Sequence, residues 1–344
     1  MQLSTREIAG VLILMAVATP SVGFEGPPSR PKNFIYFGRD RERIAEPAFL
    51  KNKAIAGAQL RYSWKELEPS RDRYALENVR KDAALLEKHG KRLFIQIQDA
   101  SFSEIVPIPD YLRVESEFGG GAERKLESND RDPSKVRFDG WVARRWDARV
   151  RDRFIKLMNA IGKALDGRIE GINLAETAIG FEDSRFHPRG FTFESYETGV
   201  KEIMTGARKA FPRSQVIQYA NFMPGDSALT PEGPAHLRGI YAHAQAIGVG
   251  VGGPDILPFR KWQQSNSLPL IAARASGVIA GMAVQDGNLD DLNPSTGARV
   301  SVQDLHRYAA ERLRLDYIFW GTQEPYYSEA VVPFLGTLFQ QIER

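Results

Sequence analysis

The sequence predicts a single-domain (β/α)8 barrel. Eight short apolar runs of β-type residues recur along the 344 residues, and most are followed by a segment with helical periodicity. This alternation indicates parallel strands, because a parallel pair needs a long crossover connection. The runs are apolar on both faces, as is typical of strands buried on both sides. An open doubly wound sheet is the alternative, but no glycine-rich phosphate-binding turn follows an early strand.

The predicted elements alternate from one end of the chain to the other. The strands are Asn33–Gly38, Ala54–Tyr62, Arg92–Gln98, Ile169–Ala175, Gln215–Asn221, Ile247–Gly252, Ile279–Gln285 and Tyr317–Gly321. The helical segments are Leu76–His89, Asp147–Leu165, Phe193–Ala210, Pro234–Ala244, Phe259–Ser265 and Val302–Leu313. A long polar insertion, Asp99–Trp141, follows the third strand. It would lie on the carboxyl-terminal face, where barrel enzymes build their active sites.

Composition narrows the classes of protein that the chain can represent. Apolar residues make up 42% and charged residues 26%, close to the globular averages of ~45–50% and ~25%. The net charge is only +3, and Asp147 and Asp152 interrupt the arginine-rich segment 144–153, so we expect no nucleic-acid partner. The chain has no cysteine, which excludes disulfides, iron–sulfur clusters and thiol catalysis.

The first 23 residues have the layout of a secretory signal peptide. Arg6 precedes an apolar run, Ile8–Ala18, and Ser21-Val22-Gly23 supplies small residues for cleavage near Gly23–Phe24. The run is too short to span a bilayer comfortably, although an uncut membrane anchor is the alternative. We therefore expect a periplasmic or secreted protein with no membrane attachment after cleavage, a linker over 24–32, and a barrel over 33–344.

Polar and aromatic residues gather at the predicted carboxyl ends of the strands. Such side chains suit a sugar, because amides and guanidinium groups bind hydroxyls and indole rings stack on apolar ring faces. The expected substrate-binding residues are Arg61, Trp64, Gln98, Asn221, Gln285 and Trp320. Clustered histidines and carboxylates are lacking at these ends, so we expect neither a metal nor another cofactor.

Four segments carry a family resemblance. They are GAQLRYSWKELEPSRDRY (Gly57–Tyr74), GRIEGINLAET (Gly167–Thr177), MAVQDGN (Met282–Asn288) and YIFWGTQEP (Tyr317–Pro325). They resemble the second, fourth, seventh and eighth strands of clan A glycoside hydrolases, which are (β/α)8 TIM barrels. The resemblance implies that Glu176, at the end of the fourth strand, is the catalytic acid/base. It also implies that Trp320 stacks on a sugar.

Two positions depart from the family pattern. Ala175 stands where an asparagine usually precedes the acid, and Gln285 stands where the nucleophilic glutamate is expected. A neutral glutamine cannot form the covalent glycosyl intermediate of retaining enzymes. A second carboxylate could instead act as a general base on water, as in inverting enzymes. The candidates, in order of preference, are Glu324, Asp255 and Asp286.

The leading functional hypothesis is an exported glycosidase that cleaves a poly- or oligosaccharide. Gln285 motivates an alternative, a catalytically silent carbohydrate-binding barrel. A third hypothesis is a periplasmic polysaccharide-assembly partner that docks another protein through the Asp99–Trp141 insertion. Glu176 itself has a purely structural interpretation, a buried carboxylate paired with Arg61.

Overall fold

Eight parallel strands close into a barrel, which confirms the predicted single-domain (β/α)8 fold. The computed structural model describes residues 29–129, 132–226 and 234–342, so the predicted signal peptide and its cleavage position lie outside the described residues. The barrel strands are β1 Lys32–Gly38, β2 Gly57–Ser63, β3 Arg92–Gln98, β6 Gly171–Leu174, β7 Gln215–Tyr219, β8 Gly250–Gly253, β9 Ala280–Val284 and β10 Tyr317–Gly321. They follow one another around the barrel in chain order, and β10 pairs with β1.

Helices surround the barrel, and they include one close to each of the six predicted helical segments. They are α1 Pro47–Lys51, α2 Trp64–Leu67, α3 Glu77–Lys88, α4 Asp110–Val114, α5 Ala148–Leu165, α6 Phe193–Ala210, α7 Ala235–Ile247, α8 Lys261–Gln264, α9 Ser267–Ala272, α10 Val302–Arg307 and α11 Val332–Ile342. The strand predicted from Ile247 begins only at Gly250, because α7 continues to Ile247 and Gly248 ends it with a φ of 68°. None of the helices in the described ranges combines the length and apolar character that a membrane span requires.

The barrel interior changes from apolar to polar along the strands. Its apolar part is a cluster of buried rings and aliphatic side chains: Phe34, Phe94, Ile217, Tyr219, Ala283, Tyr317 and Phe319. Above it, the Gln59 amide donates to Asn173 Oδ1 at 2.7 Å and to the Tyr219 hydroxyl at 3.1 Å. The carboxyl-terminal mouth is therefore lined by hydrogen-bonding groups over a closed apolar floor.

The insertion after β3 is an ordered subdomain where the sequence predicts a long polar loop. It contains α4 and an antiparallel hairpin of β4 Ala122–Asn129 and β5 Asp132–Ala143. The backbone amide of Ser101 donates to the Trp141 carbonyl at 2.8 Å, and that of Ala143 donates to the Asp99 carbonyl at 2.8 Å. Gly140 allows this close approach, since a Cβ there would lie 2.1 Å from the Ser101 carbonyl oxygen. The hairpin is thus fixed to the end of β3.

A buried ion pair attaches the loop after β2 to α5. Glu68 is fully buried and forms a salt bridge with Arg153, which is also buried. Its carboxylate also accepts from Trp64 Nε1 at 2.9 Å, from the Tyr111 hydroxyl at 3.2 Å and from the Asp72 amide at 3.0 Å. Glu68, which precedes a proline in the Gly57–Tyr74 segment, therefore has a structural role.

Removing the Glu68 carboxylate is expected to destabilise the fold strongly. Glu68→Ala leaves the Arg153 guanidinium buried without its main partner, which costs about 3–5 kcal/mol of unfolding free energy. Glu66→Ala is the matched control, because the Glu66–Arg41 pair lies nearer the surface and contributes about 0–1 kcal/mol. Denaturant unfolding measures both, and equal losses in the two variants would contradict the assignment.

Candidate active site

Glu176 lies just past the end of β6, in a segment that three other elements hold in place. Arg145, just past β5, donates through Nη1 to the Glu176 carbonyl at 2.8 Å and to the Tyr196 hydroxyl at 2.8 Å. The same guanidinium forms a buried bidentate pair with Asp99, at 2.6 and 2.8 Å. Tyr196, on α6, donates to the Thr177 carbonyl at 2.9 Å. The backbone that carries Glu176 is therefore fixed on both sides.

The Glu176 carboxyl group faces the mouth of the barrel and is partly buried. Asn221, just past β7, donates through Nδ2 to Glu176 Oε2 at 2.6 Å. Burial raises the pKa of Glu176, while the Asn221 hydrogen bond and the charge of Lys125 act in the opposite direction. Glu176 forms no ion pair with any described residue, and Arg61 is bonded elsewhere. The structural interpretation as a Glu176–Arg61 pair is therefore wrong.

Asp255, in the loop after β8, is the second acidic group of the site. Its negative charge also raises the pKa of Glu176. Burial raises the pKa of Asp255 itself, and a 2.9 Å hydrogen bond from Asn288 Nδ2 opposes that shift. Asn288 is buried, and its Oδ1 accepts from the Ile256 and Gln285 amides at 3.1 and 3.2 Å. Asn288 is the last residue of the MAVQDGN segment, but nothing in that segment predicts that it positions Asp255.

A tyrosine on β1 and an arginine on β2 form another part of the mouth. Arg61 donates to the Tyr36 hydroxyl and, through Nε, to Gln96 Oε1 at 3.2 Å. Burial raises the pKa of Tyr36, the Arg61 charge lowers it, and the charges of Asp286 and Glu176 add to the rise. Tyr36 was not singled out from the sequence, although inward alternation along β1 from the buried Phe34 would have identified it.

Several predicted residues lie at this mouth with less defined contacts. Asp286 is exposed, and its Oδ1 lies 3.7 Å from where a Cβ on Gly321 would be. Gln285 is partly buried, and its backbone carbonyl accepts from the Asn288 amide at 3.1 Å. Gln98 is buried at the end of β3. The structure therefore brings the ends of β1, β2, β3, β6, β7, β8 and β9 together around Glu176.

The two tryptophans expected to stack on a sugar do not face the mouth, so that prediction is wrong. Trp64 is fully buried against Phe154 of α5, at 4.8 Å between ring centroids. Trp320 is also fully buried, and its Nε1 donates to Asn33 Oδ1 at 2.9 Å. On β10, Tyr317 and Phe319 point into the barrel, so Trp320 must point outward to the helices.

Glu324, the first-ranked partner for Glu176, has a different role. It is exposed, and its Oε2 accepts from the Ser328 amide at 3.1 Å and the Ser328 hydroxyl at 2.6 Å. These are the hydrogen bonds of a residue that caps the turn after β10. Asp255, and not Glu324, is the carboxylate whose charge raises the pKa of Glu176.

The hairpin contributes a cation that the sequence analysis also missed. Lys125, on β4, is buried and lies 3.4 Å from Asp139 Oδ2. Its Nζ also lies 3.5 Å from the centre of the Phe102 ring. The charge of Lys125 lowers the pKa of Glu176. Because Lys125 lies in a polar insertion, nothing in the surrounding sequence predicts that it is buried beside Asp139 and Phe102.

The geometry suits proton transfer between two carboxyl groups and a neutral polar ligand. Glu176 and Asp255 both have raised pKa values, and amides hydrogen-bond both. The charge of an ionised Asp255 favours the protonated form of Glu176, so the pair can supply one proton donor and one proton acceptor. Within the described ranges, no group of three or more histidines, aspartates or glutamates is arranged to hold a metal ion.

Comparison with known proteins shows similarity at the level of structure. No protein-family model and no curated protein matches the sequence. The catalytic domain of β-amylase from Paenibacillus polymyxa is 9% identical, with a TM-score of 0.55 over 87% of this chain and 93% of that one. A GH10 endoxylanase from a sugarcane soil metagenome is 14% identical, with a TM-score of 0.46 over 87% and 89%. At 9% identity, the likeness to the β-amylase domain supports the fold alone.

Replacing Glu176 with glutamine is expected to stabilise the protein at neutral and alkaline pH. The raised pKa means that the bound proton contributes stability, fully below the unfolded-state pKa of ~4.3. That contribution is lost as the pH rises through the folded-state pKa. Glutamine stays neutral and keeps an oxygen for Asn221. We expect the Tm of Glu176→Gln to exceed that of wild type at alkaline pH, because only the wild-type carboxyl group must then be ionised in a buried place.

Thermal unfolding at a series of pH values measures this difference, which should vanish as the pH falls toward ~4. Glu311→Gln is the control, because Glu311 is exposed and its replacement should give a Tm difference that does not change with pH. A Glu176→Gln variant that is less stable than wild type at every pH would overturn the desolvation argument.

Proposed function

We propose that the chain is a glycoside hydrolase that cleaves a poly- or oligosaccharide, with Glu176 as general acid and Asp255 as general base. The observation that carries the proposal is the Glu176 carboxyl, whose pKa is raised by burial and by Asp255 at the mouth of a barrel. The signal-peptide layout of residues 1–23 supports export to the periplasm or beyond.

The two carboxyl groups have similar surroundings, because burial raises the pKa of each and one amide hydrogen bond opposes each rise. We assign the acid role to Glu176 because a negative charge on Asp255 favours the protonated form of Glu176. Protonated Glu176 donates its proton to the glycosidic oxygen as the bond to the anomeric carbon breaks. Ionised Asp255 removes a proton from the water that attacks the same carbon.

Gln285 favours a single displacement. A neutral amide at the end of β9 cannot attack the anomeric carbon to form a glycosyl intermediate, so water attacks directly and the configuration inverts. The same residue is the observation that favours the second candidate, a barrel that binds carbohydrate without cleaving it. The two candidates differ in whether any substrate is turned over.

Release of reducing ends from a panel of polysaccharides tests the proposal. Wild type is expected to cleave at least one polymer, and Glu176→Gln and Asp255→Asn should each slow that cleavage by about 10²–10⁴-fold, the range for loss of a general acid or base. Glu324→Gln is the control, since Glu324 caps a turn, and its rate should remain within about twofold of wild type.

The alternatives predict different patterns in the same assay. Loss of activity in Asp286→Asn with an active Asp255→Asn would transfer the base role to Asp286. Full activity in Glu176→Gln would refute the assignment of the acid. A wild-type protein that binds a polymer and never cleaves it would identify a silent binding barrel.

A further inference from the structure

One tryptophan ring is open to solvent at the carboxyl-terminal face. Trp262, on α8, is 41% exposed, whereas Trp64, Trp146 and Trp320 are buried. Its ring lies 5.4 Å from that of Phe222, at an angle of 45°. Tryptophan is enriched at binding surfaces, because its ring offers a large apolar face and its N–H can still form a hydrogen bond.

Each ring belongs to a residue whose neighbour in the sequence contacts the candidate active site. Phe222 follows Asn221, the residue that donates to Glu176. Trp262 precedes Gln263, whose buried side chain donates to the Asp255 carbonyl at 3.0 Å and accepts from the Leu257 amide at 3.0 Å. The amide of Gln263 thus fixes α8, and with it Trp262, to the loop that carries Asp255.

The order of strands puts these rings on one side of the acid. β7 and β8 are neighbours, and β6, which leads to Glu176, is next to β7. A chain molecule bound at Glu176 and extending over the ends of β7 and β8 would meet Asn221 and Asp255 first and the two rings beyond them. An indole face matches the apolar C–H face of a pyranose ring.

We propose that Trp262 and Phe222 form a sugar-stacking subsite for a pyranose residue of a glycan, on the Asp255 side of Glu176. This subsite takes the place of the stacking role expected of Trp64 and Trp320, and it rests on the proposed function. Because it lies beyond the two carboxyl groups, it contributes to the binding of a chain and not to the bond-breaking step.

Affinity electrophoresis in gels containing xylan, mixed-linkage β-glucan, galactomannan or soluble starch tests the subsite. Wild type should be retarded by at least one polymer, and Trp262→Ala should weaken that binding by about 10-fold. Trp262→Phe retains a ring and should restore much of it. Lys261→Ala, an exposed change on the same helix, should bind as wild type does. Thermal unfolding of each variant checks that folding is intact.

Hydrolysis assays on the same variants separate this proposal from the proposed function. If Trp262→Ala loses binding while wild type cleaves nothing, the subsite stands and the hydrolase assignment fails. If wild type cleaves a polymer and Trp262→Ala has an unchanged KM and unchanged retardation, the subsite fails and the hydrolase assignment stands. Absence of retardation of wild type by every polymer overturns the subsite.

Discussion

The buried pair between Arg145 and Asp99 is the interaction on which the candidate site depends. One guanidinium joins the end of β3, the end of the hairpin, the backbone of Glu176 and the hydroxyl of Tyr196 on α6. A buried pair of this kind is favourable only when further hydrogen bonds satisfy both ions, and here the additional acceptors are the groups that position Glu176. The candidate site is therefore built on the ends of strands, and Glu176 is held in place through its main chain.

In this arrangement the Glu176 carboxyl group is partly buried, and its hydrogen-bond donor is the neutral amide of Asn221. The main-chain carbonyl of Glu176 accepts a hydrogen bond from Arg145, and the charges of Lys125 and Arg145 lower the pKa of its carboxyl group. Burial and Asp255 therefore favour the protonated form, while Asn221 keeps the group oriented. An ion pair at Glu176 would stabilise the ionised carboxylate and lower its pKa. The group would then be a poorer proton donor, so stability would be gained at the expense of the proposed activity.

The fold and the position of Glu176 at the end of a strand could be predicted from the sequence because both have local signals. Apolar runs and helical periodicity located the strands, and the end of one strand located Glu176. The tryptophans were misplaced because the family resemblance outweighed the strand alternation that turns Trp320 outward. The contacts of Asp255 with Asn288, of Lys125 with Phe102 and of Phe222 with Trp262 join distant segments, and no short pattern predicts them. The two strands of the hairpin are mostly polar, so the sequence of the insertion predicts a loop.

The measurement that tests the account most directly is the titration of the Glu176 carboxyl itself. Infrared difference spectra of wild type against Glu176→Gln, with glutamate labelled by carbon-13, isolate the carbonyl band of the protonated group as the pH rises. We expect this band to persist above the ordinary glutamate pKa of ~4.3, because burial and the charge of Asp255 raise the pKa of Glu176. A band that disappears at or below that value would mean that Glu176 is ionised in the working range, and it would contradict its role as the acid.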